Sequence, residues 1–189
     1  MKNFFNLIAP IYEQMQFGDK KTFRKIESLG DFRSTDDVLD LGGGSGRIAK
    51  FLINKVQKMT VVDSSQKMIE QCQKRTGLSC VFAESENLPF ANNSIDRIII
   101  VDAFHHFNNQ ERAIQEIKRV LTQNGKVVIE EFNPAKIGGR FVMILETVLR
   151  LGSVFHTPPS LAQLFSNNGL NAQIFDAQRK TYYLVADKQ

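Results

Sequence analysis

Two acids flank a run of glycines near the start of the chain. Asp40-Leu41-Gly42-Gly43-Gly44-Ser45-Gly46 closes one short apolar stretch. Asp63 closes the next, about twenty residues beyond the glycines. Glycines at a strand-to-helix turn let the backbone bend sharply and let a ligand come close. The amides at the start of the next helix can then hold it. An acid at the second strand's end can accept hydrogen bonds from both ribose hydroxyls. Asp63 could instead cap a helix, but Ser64 or Ser65 can take that role. The pattern therefore points to a nucleotide-like ligand.

Two ligand classes fit. Gly44-Ser45-Gly46-Arg47-Ile48-Ala49 satisfies the Gly-x-Gly-x-x-Ala dinucleotide fingerprint, so an NAD-dependent oxidoreductase is one reading. Asp40 argues against it, because a carboxylate beside the glycines repels a pyrophosphate at close range. The same carboxylate suits a cation. S-adenosylmethionine carries an α-ammonium and a sulfonium and no phosphate. A third reading keeps that cofactor but makes the chain a non-catalytic binding partner.

Other reactive side chains are few. His105 and His106 follow a fourth apolar stretch, and histidine titrates near neutral pH, as a general base should. One of them could equally pack or cap the next helix. Glu131 and Tyr12 are further candidates for a base, and His156 has no motif around it. Cys72 lies in a helical pattern and Cys80 in a strand pattern, so both are expected as reduced core thiols. No spacing of His, Cys, Asp and Glu suggests a metal site.

These groups need a scaffold. Asp37–Leu41, Met59–Val62, Ser79–Phe82, Ile95–Val101 and Lys126–Glu130 read as buried strands. Helical patterns alternate with them: one after the glycines with Ile48, Phe51 and Leu52 inward, Ser65–Arg75, and residues 110–121. Asn124-Gly125 is the expected stop of that last helix. Strands alternating with helices form right-handed βαβ units. Near the end, a helix around Leu161–Asn168 leads to strands Asn171–Phe175 and Tyr182–Ala186. The gap between those strands is too short for a crossover, which needs about a dozen residues. The fold class is α/β: a Rossmann-like, mostly parallel seven-stranded sheet with one antiparallel strand and helices on both faces.

One domain suffices for 189 residues. Residues 1–35 are expected as an N-terminal helical lid, 36–131 as the cofactor-binding core, 132–159 as a substrate-side helical insertion, and 160–189 as a closing helix and hairpin. Residues 4–16 and 19–29 show helical spacing, with Gly30 as a stop. Residues 139–151 are apolar nearly all round, so this helix should be buried or cover something apolar. With the N-terminal helix it could lid a pocket, which makes Tyr12, Phe141 and Leu145 candidate substrate contacts. An ordinary core or a homodimer interface would use the same residues.

Composition excludes several classes. Hydrophobic residues are 42% and charged residues 23%, as in ordinary globular chains. No run approaches the ~20 apolar residues of a transmembrane helix, and Asn6 and Pro10 interrupt any signal-peptide core. A cytoplasmic location without stable membrane insertion is expected. The net charge of +4 is spread in pairs beside acids, without the basic stripe of a nucleic-acid groove. The expected partner is a small molecule.

At this point the motifs resemble a family. Val38 to Gly46 is similar to the first motif of class I S-adenosylmethionine-dependent methyltransferases. Val62-Asp63-Ser64-Ser65-Gln66-Lys67-Met68 resembles the family's ribose-binding segment. Glu84 to Phe90, followed by Asn93-Ser94-Ile95-Asp96, resembles its adenine loop. Asp102-Ala103-Phe104-His105-His106-Phe107 resembles its fourth-strand end, and Glu116 to Leu121 before Gly125 to Ile129 its approach to the fifth strand. Glu84 stands where the family usually has Asp, and Gln123-Asn124-Gly125 replaces a usual Pro-Gly turn. The resemblance implies S-adenosyl-L-methionine as cofactor and S-adenosyl-L-homocysteine as product. It implies that Asp40 and the backbone at Gly42, Gly44 and Gly46 hold the methionine end, and that Asp63 holds the ribose. Ser64 and Met68 would flank the adenine, Glu84 and Ser85 would read its edge, and Ala103 would offer a carbonyl to the ammonium. The segments Phe5 to Tyr12 and Glu130-Glu131-Phe132-Asn133-Pro134 also resemble quinone-biosynthesis C-methyltransferases. That implies an apolar or aromatic acceptor, although His105-His106 departs from that subgroup's pattern.

Overall fold

The computed structural model describes residues 19–148 and 152–188. Seven strands form one sheet: β1 (Asp37–Leu41), β2 (Lys58–Asp63), β3 (Ser79–Phe82), β4 (Ile95–Val101), β5 (Leu121–Phe132), β6 (Asn171–Phe175) and β7 (Thr181–Asp187). Their order is β3-β2-β1-β4-β5-β7-β6. The first five are parallel, and β7 runs antiparallel to both β5 and β6. The helices are α1 (Asp19–Gly30), α2 (Gln66–Cys72), α3 (Gln110–Val120), α4 (Ile137–Val148) and α5 (Pro158–Asn167). The expected fold class is the one observed.

Side-chain alternation along the strands builds two core layers. Leu39, Ile98, Ile100, Val127 and Ile129 face α3 and α5, meeting Ile114, Ile117, Leu161 and Phe165. Val38, Ile99, Val101 and Val128 face the other way, toward Phe23 and Ile26 of α1 and Leu52. Successive strand residues point to opposite faces, so the apolar run Ile98–Val101 of β4 fills both layers. The sheet grows from β1 through β2 to β3 and then, after a crossover, from β4 to β5 on the other side of β1, and at that switch beside β1 the carboxyl ends of the strands leave a crevice.

Four details differ from expectation. The segment after the glycines is a single 3-10 turn, Ala49–Phe51, within a series of turns. No side chain caps its start, yet Ile48 and Leu52 are buried as expected. The helix α3 stops at Val120, before Asn124-Gly125, because Leu121 is already extended and pairs with Ile95. Cys72 and Cys80 are joined as a disulfide rather than held as thiols. The chain turns back at Gly77 (φ +88°) and lays the end of α2 beside β3, with Cα atoms 6.1 Å apart. Finally, the described part of α4 is only partly buried, with Gly139 buried and Val142 and Met143 half-buried. Ile137, Phe141 and Ile144 are exposed. Among the described residues no helix is long and apolar enough to cross a membrane.

Candidate cofactor site

The crevice holds a cavity of about 180 Å³, walled by the β1 turn, the end of β2, the loop after β3 and the end of β4. The turn is anchored first. The amides of Gly42 and Gly43 both donate to the Val62 carbonyl, at 2.8 and 3.2 Å. Gly42 has φ +74°, and a Cβ there would stand 2.6 Å from that of Ala103. A Cβ at Gly43 would stand 2.6 Å from Asp40 Oδ2. The absent side chain at Gly43 is therefore what lets the Asp40 carboxylate lie beneath the loop.

Asp40 is 2% exposed, and its Oδ1 has no hydrogen-bond partner. Burial pushes its pKa up to about 7, against the opposing pull of Arg47 and the Ala49 amide. A buried acceptor without a donor is costly, and this one lies in a cavity wall. Asp102 has left-handed backbone (φ 52°), and its Oδ1 is likewise unpartnered. Burial raises its pKa as well. Between these acids stands Arg47, which donates to Asp102 at 3.3 Å and to Asp19 of α1 at 2.8 Å. Behind them Glu130 is buried, with its pKa raised by burial and then by repulsion from Asp102.

Asp63 is fixed through both oxygens. Oδ2 accepts from the Gly44 amide at 2.9 Å and Oδ1 from the Ser65 amide at 2.8 Å. Each oxygen keeps a second lone pair. Burial raises its pKa, opposed by those two amides. Ser65 is the cap of α2, accepting from the Met68 amide at 3.3 Å. Ser64, Met68, Glu84, Ser85 and Ala103 also line the cavity. Ser85 donates to Glu86, which accepts from the Asn109 amide and so ties this loop to α3. The Ala103 carbonyl accepts from the His106 amide at 3.0 Å, leaving it one further lone pair.

Some expected residues lie elsewhere. Gly46 is outside the cavity wall and packs toward Leu78 and Val61. The two adjacent histidines separate. His106 lines the cavity, with Nδ1 at 2.9 Å from Ser153 Oγ. His105 is buried behind it, its Nδ1 at 2.6 Å from Glu131 and its ring stacked on Phe155. Phe141 is exposed and away from the cavity wall. Tyr12 and the side chain of Leu145 lie outside the described residues. Sequence reasoning assigned no role to Gly43, Arg47, Asp102 or Glu86. For Arg47 and Asp102 a signal existed, since each adjoins a motif already singled out.

Comparison with known proteins finds methyltransferases. Residues 39–129 match the model of a methyltransferase domain family. The chain is 33% identical over 138 residues to a demethylmenaquinone methyltransferase of Thermotoga maritima, covering 69% of this chain and 60% of that protein. It is 29% identical over 148 residues to a ubiquinone/menaquinone biosynthesis C-methyltransferase of Wigglesworthia glossinidia brevipalpis, covering 70% of this chain and 59% of the other. The chain thus spans about three fifths of the length of these curated relatives. Its fold superposes on an S-adenosylmethionine-dependent methyltransferase of Thermotoga maritima with a TM-score of 0.84 at 20% identity, covering 100% of both chains.

Proposed function

We propose that the chain is a class I S-adenosylmethionine-dependent methyltransferase that transfers a methyl group to a small apolar or aromatic acceptor, a reading supported by the match of residues 39–129 to a methyltransferase domain family. The observation that carries the reading is the unpartnered, buried Oδ1 of Asp40 in the wall of a cavity that Asp63 also lines. An α-ammonium supplies the missing donor, and ribose hydroxyls supply donors to Asp63. The cavity wall is also rich in acid. Asp40, Asp63, Glu84, Glu86 and Asp102 face it, against Arg47. That balance favours a cationic ligand over a pyrophosphate, and so disfavours NAD.

When bound, S-adenosylmethionine supplies an electrophilic methyl on a sulfonium. The chain's own contribution is placement and exclusion of water. Asp40 and Asp63 hold the two ends of the cofactor in register, and orientation of this kind accounts for much of the rate of a displacement. Met68, Val62 and Ala83 give the cavity apolar walls. His106 is the candidate base for an acceptor that arrives protonated, with its ring orientation set at Nδ1 by Ser153. His105, held by Glu131 and with its ring tilted against that of His106 at 4.0 Å between centroids, positions that ring. The similarity to quinone-biosynthesis relatives supports a quinone-type aromatic acceptor.

Three measurements test this. S-adenosylhomocysteine should raise the melting temperature and NAD should not; stabilisation by NAD alone would reject the reading. Labelled methyl groups should pass from the cofactor to an aromatic metabolite pool; binding without transfer would favour a partner role. His106→Gln should retain S-adenosylhomocysteine binding and slow transfer by about 10²-fold. An unchanged rate would remove His106 from the chemistry.

A further inference from the structure

The helix α4 presents its apolar side chains to solvent. Ile137, Phe141 and Ile144 are 92%, 68% and 53% exposed. Their spacing places them on one face of the helix, and Arg140 and Thr147 share it. The described side chains of this face include no acid. The opposite side is fixed to the molecule. A Cβ at Gly139 would collide with the Asn133 carbonyl, so helix and loop touch backbone to backbone. Asn133 is buried and donates to the Lys180 and Ala177 carbonyls through its main-chain and side-chain nitrogens. The apolar stripe is thus held outward by a rigid mount.

That mount also sets the charge around the stripe. Lys136 donates to Gln178, and Lys180 packs beside Gly138 in the first turn of α4. Arg179 and Lys180 in the β6–β7 turn are exposed, as is Arg140 on the helix. The one acid in that turn, Asp176, is already paired with Lys25 at 3.0 Å and Arg179 at 3.7 Å. A row of large apolar groups bordered by Lys136, Arg140, Arg179 and Lys180 matches a surface that is apolar within and anionic at its rim. We propose that the exposed face of α4, with the adjoining β6–β7 turn, docks the protein on the surface of an anionic lipid bilayer. Amphipathic helices bind bilayers by combining these two terms, and each cation near such a surface contributes about 1 kcal/mol. Because α4 follows the carboxyl end of β5, the docking face lies at the same edge of the sheet as the cavity. An acceptor dissolved in the bilayer would be presented on that side.

The test uses the full chain and phosphatidylglycerol/phosphatidylcholine vesicles, with phosphatidylcholine alone as the control. Cosedimentation should occur with the anionic vesicles, weaken with salt, and be slight with the control. Ile137→Ser/Ile144→Ser should lower partitioning by at least about tenfold. Arg140→Gln/Lys180→Gln should lower it by about fivefold per charge. All variants should keep the thermal shift with S-adenosylhomocysteine, which separates loss of docking from loss of the cofactor site. No binding to anionic vesicles, or binding that survives both double substitutions, would overturn the inference. So would a dimer in solution that Ile137→Ser/Ile144→Ser converts to monomer, since a second copy would then cover the face.

Discussion

Asp40 concentrates the chemistry and its cost. Its folded pKa, near 7, lies above the ordinary value of 3.8 because burial penalises the charge. The cost of ionising it in the empty fold is therefore absent below about pH 4, grows as pH rises, and is full above about pH 7. Asp40→Asn should raise the melting temperature of the cofactor-free protein at pH 8 by a few degrees, roughly 2–4 °C per kcal/mol for a chain of this size. Scanning calorimetry would show it; a lower melting temperature would mean that the carboxylate stabilises the empty fold. Cofactor affinity should move the other way with pH. An ammonium pairs with ionised Asp40, so affinity should fall as pH drops below about 7, and binding near pH 6.5 should release a proton. Titrations in buffers of different ionisation enthalpy measure that proton directly. Gly43→Ala should weaken S-adenosylhomocysteine, because its Cβ and the Asp40 carboxylate cannot share the space. Asp63→Ala should cost at least ~1 kcal/mol of cofactor affinity; an unchanged dissociation constant would remove Asp63 from the ribose. Both acids were legible in the sequence from their places at strand ends. The separation of His106, in the cavity wall, from the buried His105 was not. They sit on a 3-10 turn, Phe104–His106, where neighbours point about a third of a turn apart, and no periodicity in three residues says which faces the cavity.

At the scale of elements, buried parallel strands were the most legible. The bounds of β1, β3 and β4 coincide with the expected ones, and in β1 and β4 the apolar residues that mark them are buried; those of the antiparallel edge strand β6 coincide as well. The reversed β7 followed from a chain-length argument that needs no side chains. What could not be read were features set by contacts between elements. Beside the 3-10 turn after the glycines, Arg47 reaches Asp19 of α1 and Asp102 after β4, contacts that no local helical pattern encodes. The outward face of α4 depends on its mount at Asn133. The Cys72–Cys80 bridge depends on how α2 lies along β3. Sealing so short a loop, with a sequence separation of 8, stabilises the fold by about 2–3 kcal/mol. Reduction should lower the melting temperature and loosen α2, with Met68 and hence the cofactor following. Cys72→Ala/Cys80→Ala melting identically with and without reductant, beside a wild type that responds, would confirm that the bridge is the cause.

Across the whole molecule, the sheet gathers the cavity-lining groups at one edge. The turn after β1, the ends of β2 and β4 and the loop after β3 come together because parallel strands carry their carboxyl ends to the same side. Net positive charge and an acidic cavity coexist because the cations are spread over the outside while Asp40, Asp63 and Asp102 face inward. The most direct measurement is calorimetric titration of S-adenosylhomocysteine into the wild type and Asp40→Asn at pH 8. The wild type should bind with one site per chain, and Asp40→Asn should bind at least tenfold more weakly, about 1.4 kcal/mol, while remaining folded. Equal dissociation constants would contradict the assignment of Asp40 as the partner of the ammonium, and with it the account of how this cavity holds its cofactor.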